Sequence, residues 1–301
     1  MTSVQAPSSG AAEGARRVEG RRLQLRHALA APNLVWALLF FFVPIGFLAV
    51  YSFGQMDIIT FKVTFGWTLD NYERLTESLY VRAILRSLAI SLGATLCCLL
   101  IGYPVAYVIA RQPPRLQTLL LLAVMIPFWT SFVVRTYGLV NLLSNEGPIA
   151  GALRRLGLLD EPLQLLYSPL AVTIGIVYTY LPLMILPLYV ALERIDPELP
   201  QAASDLGSSS FGVFRRVVLP LSVPGIIAGC ILVGAPATGE YTIPIILGGD
   251  KTLVYGNVVA DQFLKVGDYA FGSALAMTLM AIVTLFLVVG RSRLARAEEV
   301  V

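Results

Sequence analysis

Charged residues are scarce in this chain. Only 14% of its 301 residues are Asp, Glu, Lys or Arg, whereas a soluble domain carries about 25%. Hydrophobic residues make up 56%, and many of them stand in long runs. This composition excludes an ordinary soluble domain and indicates a polytopic membrane protein. The net charge of +3 gives no reason to expect nucleic acid as a partner.

Histidine and cysteine are also rare, which limits the chemistry open to the chain. The one histidine, His27, lies near the N-terminus, and the cysteines lie inside apolar runs, at Cys97, Cys98 and Cys230. Their spacing matches neither a zinc site nor a disulfide framework, so we expect simple packing. No stretch has the P-loop form G-x-x-x-x-G-K-[ST]. The sequence predicts no catalytic residue, metal site or cofactor in this chain.

Six apolar runs reach the length of about 20 residues that a membrane-spanning helix needs. They cover residues 33–53, 87–110, 118–142, 169–192, 221–247 and 271–290. The first is too long for a signal peptide and is predicted to be a retained helix. The predicted fold is therefore all-α, with six transmembrane helices over 33–290. A tail of residues 1–32, disordered in its first part, precedes them, and a tail of 291–301 follows.

Proline residues stand within three of these runs. We expect them to interrupt the helices, because proline removes a backbone hydrogen bond that neighbouring helices must then replace. They are Pro127 in the third run, Pro182 and Pro187 in the fourth, and Pro224, Pro236 and Pro244 in the fifth.

The distribution of Lys and Arg predicts the orientation. The face formed by the two tails and the loops 111–117 and 193–220 carries 13 basic residues, against nine on the other face. Cytoplasmic loops carry the excess of basic residues. Both termini and the 193–220 loop are therefore predicted to be cytoplasmic.

The loop contains the polar stretch "QAASDLGSSSFGVFRRVVLP", residues 201–220. Asp196-Pro197 is typical of a helix start, and Gly207 of a helix end. Ser208 to Ser210 offer a second N-cap, and Pro220 is expected to end the second helix. Each helix carries one apolar stripe, formed by Leu199, Ala202, Ala203 and Leu206 in the first and by Phe211, Phe214 and Val218 in the second. Such helices either lie on the membrane surface or dock onto a partner, and the small alanines favour docking.

The same loop resembles the signature E-A-A-x3-G-x9-I-x-L-P of ABC importer permeases. Here it stands as Gln201-Ala202-Ala203, Gly207 and Val217-Val218-Leu219-Pro220, with intact spacing. Gln201 replaces the glutamate of the signature, which removes the charge for a salt bridge there, and Val217 replaces isoleucine. The resemblance implies coupling helices that sit in a cleft of an ATP-binding subunit. The implied coupling residues are Gln201, Ala202, Ala203, Asp205, Gly207, Ser208 and Phe211.

Four further stretches are similar to the permeases of spermidine/putrescine importers. They are "PFWTSFVVRTYG" (127–138), "YLPLMILPLY" (180–189), "PATGEYTIPIILGG" (236–249) and "YGNVVADQFL" (255–264). The resemblance implies a type I ABC importer permease of the bacterial inner membrane that carries polyamines. It also implies two ATPase subunits that bind ATP and Mg, a second permease that is a copy or a paralogue, and an extracytoplasmic solute-binding protein. The outer loops 54–86 and 143–168 are expected to receive that protein.

Glu240 is the clearest ionisable residue at membrane depth, where charge usually marks a pathway or a partner. The glycines and prolines around it should break the helix and free carbonyls for a cation. Aromatic faces can add cation–π contacts, and the candidates are Tyr241, Trp129, Tyr178 and Tyr180. Three alternatives stay open: Glu240 pairs with Arg135 or the second permease, the span ends before Glu240, or the aromatics form an interfacial belt.

Two other functions are compatible with the sequence. The same architecture would serve another small solute, such as an opine, an amino-acid derivative or an anion. A secondary transporter working alone would need several carboxylates at membrane depth, and it would leave the 193–220 loop unexplained. A membrane-embedded enzyme has no support, since no nucleophile–base pair appears.

Overall fold

The structure, a computed structural model, describes residues 32, 35–57, 63–64, 66–157, 165–249 and 252–298, with the backbone alone over 294–298. The predictions for residues 1–31 and 299–301, and those for parts of the outer loops 54–86 and 143–168, lie outside the described residues.

Helices dominate the described chain. In order they are α1 (Val35–Ser52), α2 (Asp70–Arg74), α3 (Ser78–Ala110), α4 (Pro114–Met125), α5 (Phe132–Leu143), α6 (Pro148–Arg155), α7 (Pro169–Glu193), α8 (Glu198–Asp205), α9 (Ser210–Gly239), α10 (Tyr255–Asp261) and α11 (Tyr269–Glu298). The strands β1 (Gln55–Met56) and β2 (Val63–Thr64) form one small antiparallel pair, which the all-α prediction did not include. Short helical turns cover Ile126–Trp129, Pro244–Gly248 and Gln262–Val266.

Five of these helices, α1, α3, α7, α9 and α11, are long and apolar enough to cross a membrane. A sixth span exists if the bent pair Pro114–Trp129 and Phe132–Arg155 is counted as one, with 91° between its halves. The third predicted span, 118–142, is therefore not a single helix. The chain turns at Thr130 and Ser131, just after Pro127, and the Thr130 hydroxyl donates to the Pro127 carbonyl at 2.7 Å.

The bounds predicted for the second and fifth spans are wrong. Helix α3 begins at Ser78 rather than at 87, because Arg82 and Arg86 interrupt the apolar run without interrupting the helix. Helix α9 begins at Ser210 and ends at Gly239, so it does not reach 247.

The predicted effect of proline is also wrong for most positions. Pro182 and Pro187 lie inside the continuous helix α7, and Pro224 and Pro236 lie inside α9. Pro220 does not end the second loop helix, which continues into the membrane-length part of α9. A π-helical turn at Phe214–Val218 precedes Pro220. The helix widens locally at this turn and so accommodates the proline.

Helices α3, α7 and α9 form the centre of the bundle. Ala94, Met184 and Val233 lie on them, one on each helix, and are fully buried. Helix α11 runs antiparallel to α9, as three close approaches show. A Cβ added at Gly239 would contact Leu279, one at Gly234 would contact Phe286, and one at Gly290 would contact Ile231. Residue numbers thus fall along α9 as they rise along α11.

The two ends of the bundle differ in structure. The hairpin end carries β1, β2, α2 and α10, and an Arg74–Asp268 salt bridge of 3.2 Å joins α2 to the start of α11. The opposite end, called the α8 end below, carries α8 with the adjoining ends of α3 and α7. Because α11 starts at the hairpin end and runs antiparallel to α9, its C-terminal end lies at the α8 end.

Close approach of α7 and α9 predicts a stability effect at Gly225. A Cβ there would lie 2.5 Å from the Cβ of Ala191 and 2.7 Å from the Pro187 carbonyl oxygen. Gly225→Ala is therefore expected to lower the free energy of unfolding by about 1–3 kcal/mol. At Gly93 of α3 a Cβ meets nothing within 4 Å, so Gly93→Ala should be neutral or stabilise by up to about 1 kcal/mol. Thermal unfolding in detergent compares the two, and equal midpoints would contradict the packing.

Candidate functional site

The α8 end contains the two short helical segments predicted from the sequence, joined at Gly207. The Asp196 carboxylate accepts the Glu198 amide at 2.9 Å, and the Ser209 hydroxyl accepts the Gly212 amide at 3.2 Å. Gly207 has φ +86°, a left-handed conformation that favours glycine. The Ser208 amide bonds to the Ala203 carbonyl and the Gly207 amide to the Ser204 carbonyl, at 3.1 and 2.9 Å, which is a Schellman ending.

Three apolar side chains of this segment are exposed. Leu206 is 88% exposed, Phe211 is 71% exposed, and Leu199 is exposed as well. Of the predicted coupling residues, Gln201, Ala202, Asp205 and Gly207 are exposed, whereas Ala203 and Ser208 are half-buried. Exposed apolar side chains grouped on one surface are typical of an interaction site.

A cavity of about 390 Å³ separates the α8 segment from the end of α3. Arg111, Gln201 and Asp205 are among its lining residues. The Arg111 guanidinium lies 4.1 Å above the ring of Tyr107 on the same helix. Among the described residues Arg111 forms no salt bridge, in keeping with the uncharged side chain at position 201.

Glu240 lies at a break in the helix, as the sequence predicted, because α9 ends at Gly239. Its own backbone is extended, with φ −64° and ψ 127°. One carboxylate oxygen accepts the amides of Thr242 and Ile243 at 2.9 and 3.3 Å. The side chain therefore caps the helical turn that follows the break, where amide donors have no partners of their own.

The other oxygen of Glu240 accepts a hydrogen bond of 2.6 Å from the hydroxyl of Tyr180 on α7. The alternative in which Glu240 pairs with Arg135 is wrong for this chain. The salt bridges seen among the described residues are Arg74–Asp268 and Lys265–Asp261, and neither involves Glu240. The Nε atom of Arg135 is buried without a hydrogen-bond partner in the described chain.

Only one of the predicted aromatic residues is joined to Glu240 by a hydrogen bond. Trp129 is 73% exposed, at the bend between α4 and α5, and Tyr241 is exposed. Tyr178 is 42% exposed. It precedes Tyr180 by two residues, and this separation places the two side chains on different faces of α7.

A group of hydroxyl residues that was not predicted from the sequence ties the helix end to its neighbours. On α3, the Ser91 hydroxyl donates to the Gly234 carbonyl at 3.0 Å and lies 3.0 Å from the Thr238 hydroxyl. One turn earlier, the Ser87 hydroxyl accepts the Tyr255 amide of α10 at 2.7 Å. The signal was the four-residue spacing of Ser87, Ser91 and Thr95, which puts small polar residues on one face of an apolar helix.

Comparisons with known proteins all find membrane components of transport systems. Residues 99–295 match the family described as "Binding-protein-dependent transport system inner membrane component". The chain is 43% identical over 254 residues to the spermidine/putrescine transport system permease protein PotB of Escherichia coli K12, covering 84% of this chain and 92% of PotB. It is 31% identical over 268 residues to the inner membrane ABC transporter permease protein YdcU of the same organism, covering 84% and 85%.

Solved structures agree on the fold. A chain of a bacterial ABC transporter involved in the import of the acidic polysaccharide alginate superposes with a TM-score of 0.72. The superposition covers 92% of this chain and 96% of that one, at 19% sequence identity. A chain of the MetNI methionine ABC transporter in an inward-facing conformation gives 0.53, at 18% identity, and covers 72% and 95%. At such identity the likeness concerns the fold alone, and it confirms the type I importer permease architecture.

The hydrogen bond between Tyr180 and Glu240 predicts a coupled effect on stability. Tyr180→Phe should lower the free energy of unfolding by about 1.5–3 kcal/mol, the range for a bond to a charged group. In a Glu240→Ala background the same change should have little effect, because the acceptor is gone. Tyr178→Phe serves as the control, since no hydrogen bond of its hydroxyl is seen in the described chain. Thermal unfolding in detergent measures all four variants, and an undiminished effect in the Glu240→Ala background would contradict the pairing.

Proposed function

Because the chain belongs to the family of inner-membrane components of binding-protein-dependent transport systems, we propose that it forms the translocation path for polyamines or a similar organic cation. In this role it is a non-catalytic permease subunit of an ATP-driven importer and works by alternating access. ATP and Mg bind to separate ATPase subunits on the cytoplasmic side.

The carboxylate of Glu240 is the observation that carries the choice of a cation. A carboxylate offers about four acceptor positions, and Tyr180, Thr242 and Ile243 occupy three of them. One position remains, and no basic side chain forms a salt bridge with Glu240 in the described chain. An ammonium group of the solute would fill the position and balance the charge. The similarity to PotB, whose name states spermidine and putrescine, supports the same choice.

The α8 end is proposed to face the cytoplasm and to dock onto the ATPase. The basic loops lie on this side by sequence, as the positive-inside rule requires. Leu199, Leu206 and Phe211 are exposed here and offer apolar area to a cleft, while Ala202 and Ala203 permit a close approach. In this orientation both termini are cytoplasmic, and the hairpin end receives the solute-binding protein.

The complete importer is proposed to contain a second permease, either a copy or a paralogue. The centre of the bundle is filled by packed side chains, so a path beside the Glu240 break needs a facing subunit to enclose it. Exposed residues beside this break, such as Tyr241 and Ile245, are available for that contact or for the solute.

Loss of the charge at Glu240 is expected to impair polyamine uptake. Glu240→Gln keeps an oxygen that can cap the Thr242 and Ile243 amides but lacks the charge for an ammonium group. Uptake of spermidine by the assembled importer in liposomes should fall about tenfold or more, which corresponds to one charged hydrogen bond. Asp261→Asn is the matched control, because Asp261 pairs with Lys265 on the next turn at 2.8 Å. Unaltered uptake by Glu240→Gln would indicate another solute or another site.

Bulky residues in the α8 segment are expected to uncouple transport from ATP hydrolysis. Gly207→Leu places a branched side chain at φ +86°, and Ala203→Leu fills the face that approaches the ATPase. Solute-stimulated hydrolysis by the purified complex should be lost in both, while Gly93→Leu, at a position with no neighbour within 4 Å, should retain it. Normal stimulation in the first two variants would refute the docking role. Uptake driven by an ion gradient without the ATPase would favour a secondary transporter.

A further inference from the structure

Two phenylalanines at the start of α9 lie on different sides of the helix. Phe211 is exposed at the α8 end, whereas Phe214, three residues later, is half-buried against α3. Only Phe211 belongs to the surface proposed to meet the ATPase. Phe214 therefore needs a different explanation.

The ring of Phe214 lies against two tyrosines of α3. Its centroid is 5.8 Å from that of Tyr103 and 6.2 Å from that of Tyr107, with interplanar angles of 89° and 87°. Both contacts are edge-to-face pairs, which aromatic rings prefer. The two tyrosines stand four residues apart, so they occupy one face of α3.

A hydrogen bond also joins α3 and α9, at Ser222 of α9. The hydroxyls of Tyr103 and Ser222 are 2.8 Å apart, and Ser222 is fully buried. The Ser222 hydroxyl donates to the Leu219 carbonyl at 2.9 Å. One tyrosine, Tyr103, therefore contacts both Phe214 and Ser222.

These contacts bracket the π-helical turn Phe214–Val218. Such a turn is a local irregularity at which a helix can deform. Phe214 stands at its first position, and Ser222 follows its end by four residues. Helix α3 thus contacts α9 at the first residue of the irregular turn and again four residues after its end.

The same two helices are joined a second time, closer to the hairpin end and to Glu240. Ser91 of α3 bonds to the Gly234 carbonyl of α9, six residues before Glu240. Helices α3 and α9 are thus fastened at the α8 end and again beside the proposed solute position.

We propose that Tyr103, Tyr107 and Phe214 form a joint that transmits movement of the α8 segment to α3 and α9, and hence to the surroundings of Glu240. The three act as positioning residues, and Phe214 is the central one. The proposal rests on the proposed function, since it assumes an ATPase that moves this segment.

The test uses the complete importer reconstituted in liposomes, with spermidine and its binding protein. For Phe214→Leu we expect the ATPase subunits to co-purify as in the wild type, while spermidine taken up per ATP hydrolysed falls about fivefold or more, since both aromatic pairs are lost. Phe214→Tyr keeps the ring and should restore most of that ratio. Tyr103→Phe, which removes one hydroxyl, should lower it about twofold or more.

Phe211→Leu is the matched control at the exposed position. It should reduce the amount of co-purified ATPase, and the complexes that do assemble should keep the wild-type ratio of uptake to hydrolysis. If Phe214→Leu fails to assemble, Tyr103→Phe decides the question, and a wild-type ratio in that variant overturns the joint.

Two further results would overturn the joint and leave the proposed function standing. They are a wild-type ratio in Phe214→Leu, with or without weakened co-purification of the ATPase, and an equal loss in Phe214→Leu and Phe214→Tyr. Failure of the proposed function is recognised separately, because the wild-type complex would then show no hydrolysis stimulated by spermidine and its binding protein.

Discussion

The hydrocarbon core of a membrane contains no water, so each backbone amide and carbonyl there needs a partner within the protein. Two interruptions of helices in the described part of the chain are accompanied by such partners. At the bend after Pro127, the Thr130 hydroxyl donates a hydrogen bond to the Pro127 carbonyl. The Arg135 amide donates to the Ser131 carbonyl at the start of the next helix. At the break after Gly239, the Glu240 side chain supplies the acceptor for the next two free amides. A group suited to a cation is thus also a structural cap, which explains how a charge can be kept at a helix end.

The arrangement around Glu240 follows from helices that approach closely. Gly225 and Gly229 of α9 leave no room for a Cβ against α7, and this contact aligns α7 so that Tyr180 reaches Glu240. On the other side, Ser91 of α3 holds the last turn of α9. Because α9 is continuous from Ser210 to Gly239, a single helix connects the exposed loop with the break. This one helix therefore runs from the proposed ATPase contact to the proposed solute position.

Local features of this protein were predictable from the order of residues. Asp196 and Ser209 cap helices through amides two or three residues away, and Gly207 forms a left-handed turn. These effects are local, and the structure confirms the two predicted segments joined at Gly207. The break at Glu240 was predictable for the same reason, since glycine and proline weaken a helix wherever it packs. Helix ends were less predictable. Arg82 and Arg86 hid the first turns of α3, and Pro220 did not end a helix, because hydropathy and local preference do not report the hydrogen bonds that continue a helix past such residues.

Contacts between distant residues were decided by the tertiary structure alone. Glu240 bonds to Tyr180, 60 positions away, rather than to Arg135, and Phe214 packs between Tyr103 and Tyr107. In a soluble protein an amphipathic pattern would mark the buried face of each helix. Here the faces toward lipid and toward protein are both apolar, so the rotation and the neighbours of each helix leave little trace in its composition. The sequence by itself determined the membrane class, the approximate places of the spans, the polar loop and the isolated carboxylate. Only packing decided which side chains meet that carboxylate, because packing sets the rotation of each helix.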